Sequence, residues 1–141
     1  MKPVNEYGQR VLQVLTEGLN NAGDDRKFGN GRPYMAVSVE RIDVPQVYSV
    51  AHYYKQNGDL MADPEMVFVV NDAGIFLPVY FKQAGLGLEQ SSAEYTTIDG
   101  KLRIERFRPK LQADHAIFAG TWLRNIAEQQ DLRTAVAAKK K

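Results

Sequence analysis

The sequence predicts an α+β domain, an antiparallel sheet of about five strands with N- and C-terminal helices packed on one face. Three observations predict it. Apolar residues recur every three to four positions at both ends of the chain, they alternate through the middle, and Asn-Gly and Asp-Gly pairs punctuate that alternating stretch.

Residues 5–19 place Tyr7, Val11, Val14, Leu15 and Leu19 along one side of a helix, with Asn5 as its N-cap. Residues 20–25 stop it, and Gly29 and Gly31 keep residues 28–33 a loop. From Tyr34 the period becomes two: Met35, Val37 and Val39 face one way, and Ala36, Ser38 and Glu40 the other. Pro45 interrupts before a strand at 47–55, in which Tyr48, Val50, His52 and Tyr54 share one face and Val47, Ser49, Ala51 and Tyr53 its opposite. A turn follows at Gln56, Asn57, Gly58 and Asp59, and Asp63 before Pro64 keeps the chain out of helical geometry ahead of a strand at 66–70.

Residues 71–74 reverse that strand into 75–81, making an antiparallel hairpin. Pro78 has no amide hydrogen, which predicts a sheet margin or a bulge near residues 77–79. Gly85 and Gly87 bracket a loop, and Asp99-Gly100 joins 94–98 to 101–107 in a second hairpin, where the off-phase Phe107 predicts a bulge at Glu105 or Arg106. Beyond Pro109, Leu111, His115, Phe118, Trp122 and Ile126 recur at helical spacing, with Ile117, Ala119 and Leu123 broadening the stripe. One domain over 1–133 and a basic tail over 134–141 result.

A chain of 141 residues with 44% hydrophobic content builds one core and has little room for a second. Eighteen Lys and Arg against 17 Asp and Glu argue against an extended nucleic-acid surface and against a wholly acidic nucleic-acid mimic, leaving only local patches of either sign. With no cysteine there is no disulfide framework, thiolate zinc site, cysteine nucleophile or iron-sulfur cluster, a composition that suits a reducing compartment. The N-terminus turns polar at once and no apolar run approaches the roughly 18 residues of a bilayer span, so a soluble, cytoplasmic protein is expected.

The densest cluster of chemistry-bearing residues is HYYKQNGDLMADPEM, residues 52–66. His52 can move protons near neutral pH, and Asp59, Asp63 and Glu65 are hard-cation ligands, the set a metal-dependent hydrolase needs. Their spacing matches no calcium loop, and loop aspartates more commonly cap turns. A restriction-type nuclease core wants a carboxylate two positions before a lysine, but Tyr53 precedes Lys55 and Tyr80 precedes Lys82. P-loop, Rossmann and nucleophile-elbow patterns are absent too, Gly85 and Gly87 forming only a partial pair. No cofactor, metal or catalytic residue is therefore assigned.

His115 and Trp122 lie on the apolar side of the second helix and read as packing residues. Basic residues gather late: Lys101, Arg103, Arg106, Arg108 and Lys110, then Arg124, Arg133 and 139–141. Arg103, Arg106, Arg108 and Lys110 can form a phosphate-contacting stripe, although a charged strand face that discourages aggregation is the plainer reading.

Three blocks carry a resemblance. Tyr53, Tyr54, Asn57, Gly58, Asp59, Asp63, Pro64 and Met66 form the first, Tyr80, Gly87 and Gln90 the second, and Trp122, Asn125 and Gln129 the third. In these the chain resembles an uncharacterised family of small domains found in bacteriophages, plasmids and integrative conjugative elements. The resemblance implies an accessory protein that acts by binding, including binding to host defence machinery such as a CRISPR effector. The expected function is accordingly a non-enzymatic one, with Tyr53, Tyr54, Asn57, Asp59, Asp63 and Glu65 as the partner-binding surface, aromatic anchors beside carboxylates. A small nucleic-acid-binding module is the alternative.

Overall fold

Asn5 opens the first helix as its position demands: its Oδ1 accepts the Gly8 N–H at 2.8 Å, satisfying one of the donors that a helix start leaves free. The computed structural model describes residues 1–43 and 46–139, so Pro45 and the last two lysines lie outside the described residues. Helix α1 (Glu6–Thr16) is followed by strands β1 (Asp25–Phe28), β2 (Val37–Asp43), β3 (Val47–Gln56), β4 (Asp59–Val70), β5 (Phe76–Gln83), β6 (Leu88–Ser91), β7 (Ala93–Ile98) and β8 (Lys101–Phe107), then by helices α2 (Pro109–Gln129) and α3 (Arg133–Ala138).

Strands β1 to β6 form one antiparallel meander in sequence order, and β7 and β8 form a separate two-stranded sheet. About five strands were expected; the described residues form eight. The two that the sequence hides, β1 (DRKF) and β6 (LEQS), are short and polar, as edge strands of a sheet tend to be. Strand β4 also begins seven residues earlier than expected, at Asp59, so Asp59, Asp63 and Glu65 are strand residues and not loop residues. Pro64 is accommodated by a register shift, in which Asp63 and Pro64 together oppose His52.

Alternation decides the layers. Val37, Val39, Tyr48, Val50, Met66, Phe68 and Phe81 face one side of the meander and pack under α1, α2 and Val136 of α3. Val47, Val67, Val69, Leu77 and Val79 face the other side, against Ala93, Tyr95, Leu102 and Ile104 of the β7–β8 hairpin. Both faces of the meander's centre are therefore covered, by helices on one and by a hairpin on the other. That hairpin was expected within the main sheet. Its turn and bulge fall where the sequence puts them: Asp99 and Gly100 have φ 54° and 75°, and Glu105 is the extra residue between the Glu94–Arg106 and Tyr95–Ile104 pairs.

Pro78 lies at a bulge, since Val67 pairs with Tyr80 and Phe68 with Pro78, leaving Val79 over. Strand β6 pairs only with residues 80–83, so this stretch of β5 is a margin of the ladder on that side. The carbonyl of Pro78 is used elsewhere, accepting from Gln112 Nε2 at 3.2 Å. In α2, Trp122, Leu123 and Ile126 are buried as the spacing requires, whereas Ile117 is 72% exposed and belongs to the outer face. Met35 precedes β2 and is also exposed.

Candidate functional site

The β3–β4 hairpin outruns its neighbours. Pairing of β2 with β3 ends at His52, and pairing of β5 with β4 ends at Glu65, while β3 and β4 remain paired out to Gln56 and Asp59. Asn57 and Gly58 close it with φ 53° and 86°, the twin left-handed conformations of the tightest hairpin turn, which suit Asn-Gly. The tip thus carries Asn57 and Asp59 in solvent, with Leu60 64% exposed between the strands' ends. Leu86, 74% exposed, sits in the 3-10 turn Ala84–Leu86 that packs along β4.

Alternation separates the two tyrosines of this hairpin. Tyr54 follows His52 and Val50 onto the helix side, where its hydroxyl packs on Gly85: a Cβ there would lie 2.8 Å from it. Asp63 shares that side and accepts from Gln83 Nε2 at 3.2 Å. Tyr53 is on the opposite side with Ser49 and Glu65, which are joined at 2.8 Å. Burial, then the carboxylates of Glu65 and Glu40, raise the Tyr53 phenol above its usual pKa. The six expected binding residues therefore form three groups: Asn57 and Asp59 at the tip, Tyr54 and Asp63 toward the helices, and Tyr53 and Glu65 toward the second face.

A groove of about 410 Å³ runs along the unpaired edge of β3, lined by Met35, Tyr53, Tyr54, Lys55 and Leu60 among others. Sequence periodicity does not reveal this groove, because it arises where β2 stops short. Leu60 and Leu86 were likewise missed; an apolar residue beside Asn-Gly is the only local hint.

On the second face, Tyr80 donates to Glu89 Oε2 at 2.6 Å, and burial with that carboxylate raises the Tyr80 phenol far above its usual pKa. His52 is 5% exposed, set edge-on to Trp122 at 5.7 Å, with Nδ1 at 3.2 Å from the Ala36 carbonyl. His115 is 4% exposed against Phe81, its Nε2 at 3.0 Å from Gln90 Oε1. Neither histidine is at the hairpin tip, and among the described residues no group of three His, Asp or Glu side chains converges to hold a metal ion.

The expected basic stripe is arranged differently from a bare cationic row. Arg106 Nε is 3.0 Å from Glu94, and Arg103 Nε is 3.6 Å from Glu105, so both are paired across or along the hairpin. Arg108 stands at the N-cap of α2, its Nη1 donating to the Ser91 carbonyl at 2.8 Å, and Lys110 follows in the first turn.

No curated protein and no solved structure matches the chain. Residues 9–132 match a family described as a domain of unknown function (DUF6908), a span that takes in the projecting hairpin, both sheets and α2. The chain belongs to that family.

Proposed function

We propose that this domain is a non-enzymatic binding module that docks on a protein partner through the projecting end of the β3–β4 hairpin. The projection itself carries the proposal: four residue pairs of β3 and β4 extend beyond the last pairing of β2, placing Leu60 and Asp59 where neither sheet nor helix covers them. An exposed leucine flanked by a carboxylate, with half-buried tyrosines at the base, has the composition of an interface anchor with a polar rim. The edge groove beside it adds unpaired strand backbone, a surface that an extended partner segment can join.

The resemblance to accessory domains of mobile elements supports, as the partner class we propose, a host-defence nuclease complex of CRISPR or restriction type. Asp59 at the tip then stands in for a phosphate on its nucleic-acid-binding surface, while Asp63 and Glu65 are turned to the two faces and engaged by Gln83 and Ser49. The test is phage plating on a host with an active defence system, with and without the expressed domain. The wild-type chain raises plating efficiency, and the pair Asp59→Arg with Leu60→Asp removes at least about tenfold of that protection, the loss expected from truncating one interface anchor. Both positions are exposed, so the thermal midpoint stays unchanged. Full protection by the variant overturns the hairpin as the docking site, and no protection by the wild type overturns the defence complex as partner.

A further inference from the structure

Helix α2 begins without a cap. Arg108 occupies the N-cap position, no side chain caps the helix, Pro109 follows at its first residue, and the first turn contains no acid. The N–H groups of Lys110 and Leu111 consequently have no intrahelical acceptor, and a helix of 21 residues presents its positive end there.

Helix starts of this kind are common, and this one adjoins a recess. A cavity of about 250 Å³ is lined by Ser92, Ala93, Glu94, Arg106, Phe107 and Arg108. Ser92 is 0% exposed, and its Oγ has no hydrogen-bond partner. Its backbone is fully engaged, the N–H donating to the Val79 carbonyl and the C=O accepting from the Arg108 N–H, each at 2.9 Å. A buried hydroxyl left unpaired is costly, and such groups persist where something completes them.

The cations are held in place. Arg106 reaches Glu94 through Nε at 3.0 Å and Nη2 at 3.4 Å, and Arg108 spends one Nη1 bond on the Ser91 carbonyl, so each guanidinium keeps further N–H donors. Glu94 is the opposing charge in the lining, and Arg106 already neutralises it. Phe107, 40% exposed, stands between the two arginines in sequence and lines the same recess.

We propose that this recess is a nucleotide-phosphate subsite, in which one phosphate accepts from the Ser92 hydroxyl and the Arg106 and Arg108 guanidiniums, with the positive end of α2 adjoining at Arg108. Phe107 offers an attached base a face to stack on. Lys110 continues the positive field along the helix, and Arg103 and Lys101 along β8. None of the hairpin residues of the protein-docking surface takes part, so either site can fail while the other stands.

Thermal unfolding of the full chain in rising inorganic phosphate, against sodium chloride of matched ionic strength, tests the subsite. Phosphate is expected to raise the midpoint saturably above chloride. Ser92→Ala and Arg106→Gln each weaken the apparent phosphate affinity by about fivefold or more, as expected for losing a bond to a charged group. The midpoint of each variant in chloride verifies its fold, and removal of an unpaired buried hydroxyl leaves that baseline unchanged or higher.

Two further arms use a ten-residue oligodeoxythymidylate and thymidine monophosphate. Tighter, steeply salt-dependent binding of the oligonucleotide identifies a strand as the phosphate source, whereas equal affinity identifies a free nucleotide. Absence of a saturable phosphate effect, or an effect that both variants retain in full, overturns the proposal.

Discussion

Gln112 shows how one side chain decides local stability. It is 0% exposed, its Oε1 accepts the Lys2 N–H at 2.7 Å, and its Nε2 donates to the carbonyls of Lys2 at 2.8 Å and Pro78 at 3.2 Å. It thereby fastens the N-terminal segment to the bulged part of β5, where the ladder offers no partner. Gln112→Ala strands these backbone groups in the interior and is expected to lower unfolding free energy by about 2–3 kcal/mol, measured by urea denaturation. Gln9 works similarly at the other end of the same stretch, its Oε1 accepting the Phe76 N–H and its Nε2 donating to the Phe76 carbonyl, each at 2.9 Å. Neither glutamine was legible in the sequence, because an amide on a helix carries no sign of which backbone groups it will meet. Asn5 was legible, since a cap acts within its own turn.

Among the elements, turns and helices follow their local signals closely. Asn57-Gly58 and Asp99-Gly100 adopt the positive φ values for which those residues are suited, and α1 and α2 bury the stripes that their spacing marks out, the exposed Ile117 and Phe118 excepted. The misread elements are those whose stability is borrowed. Strands β1 and β6 are too short and polar to announce themselves and exist because β2 and β5 offer ladders to pair with. The first half of β4 contains a proline, which the register shift opposite His52 absorbs. Helix α3 belongs to this class as well. It falls largely within the segment expected to be a basic tail, yet Val136 is 1% exposed in the core, and Lys139 lies 3.3 Å from Glu17. Truncation after Leu132 should cost about 1.5–3 kcal/mol from the lost valine burial, with little from the exposed ion pair, read as a lower urea midpoint.

At the scale of the whole molecule, α2 and the meander meet through His52, Trp122, Phe118, Phe81 and His115, aromatic rings in succession at centroid distances from 5.1 to 6.2 Å. Burial lowers the pKa of both histidines below the usual 6.5, for His52 against the opposing pull of backbone acceptors and Asp63, and for His115 against Asp114. The folded chain therefore keeps both neutral while the unfolded chain protonates them as pH falls below 6.5. Their contribution is fully present above that pH and is lost progressively as pH drops toward the folded values. The urea midpoint should fall between pH 7.5 and 5.5, and replacing both histidines by glutamine should flatten that slope; an unchanged slope would contradict the linkage. The same ring array couples α2 to β3, so it also fixes the base of the projecting hairpin.

By itself the sequence determined helices α1 and α2, the three reversals, a bulge at Glu105 or Arg106 and the two-faced character of β3, because each depends on periods of a few residues or on the φ preference of a single glycine, asparagine or aspartate. Tertiary structure decided the rest. Alternation states that a strand has two faces but not what covers them, so the β7–β8 hairpin as a separate layer, and what Tyr53 and Tyr54 each meet on their opposite faces, followed only from the packing. In the recess joining Ser92 to Arg106 and Arg108, the β7–β8 pairing sets Ala93 opposite Phe107 and Glu94 opposite Arg106, and only the packing decided that the Ser92 hydroxyl is buried there.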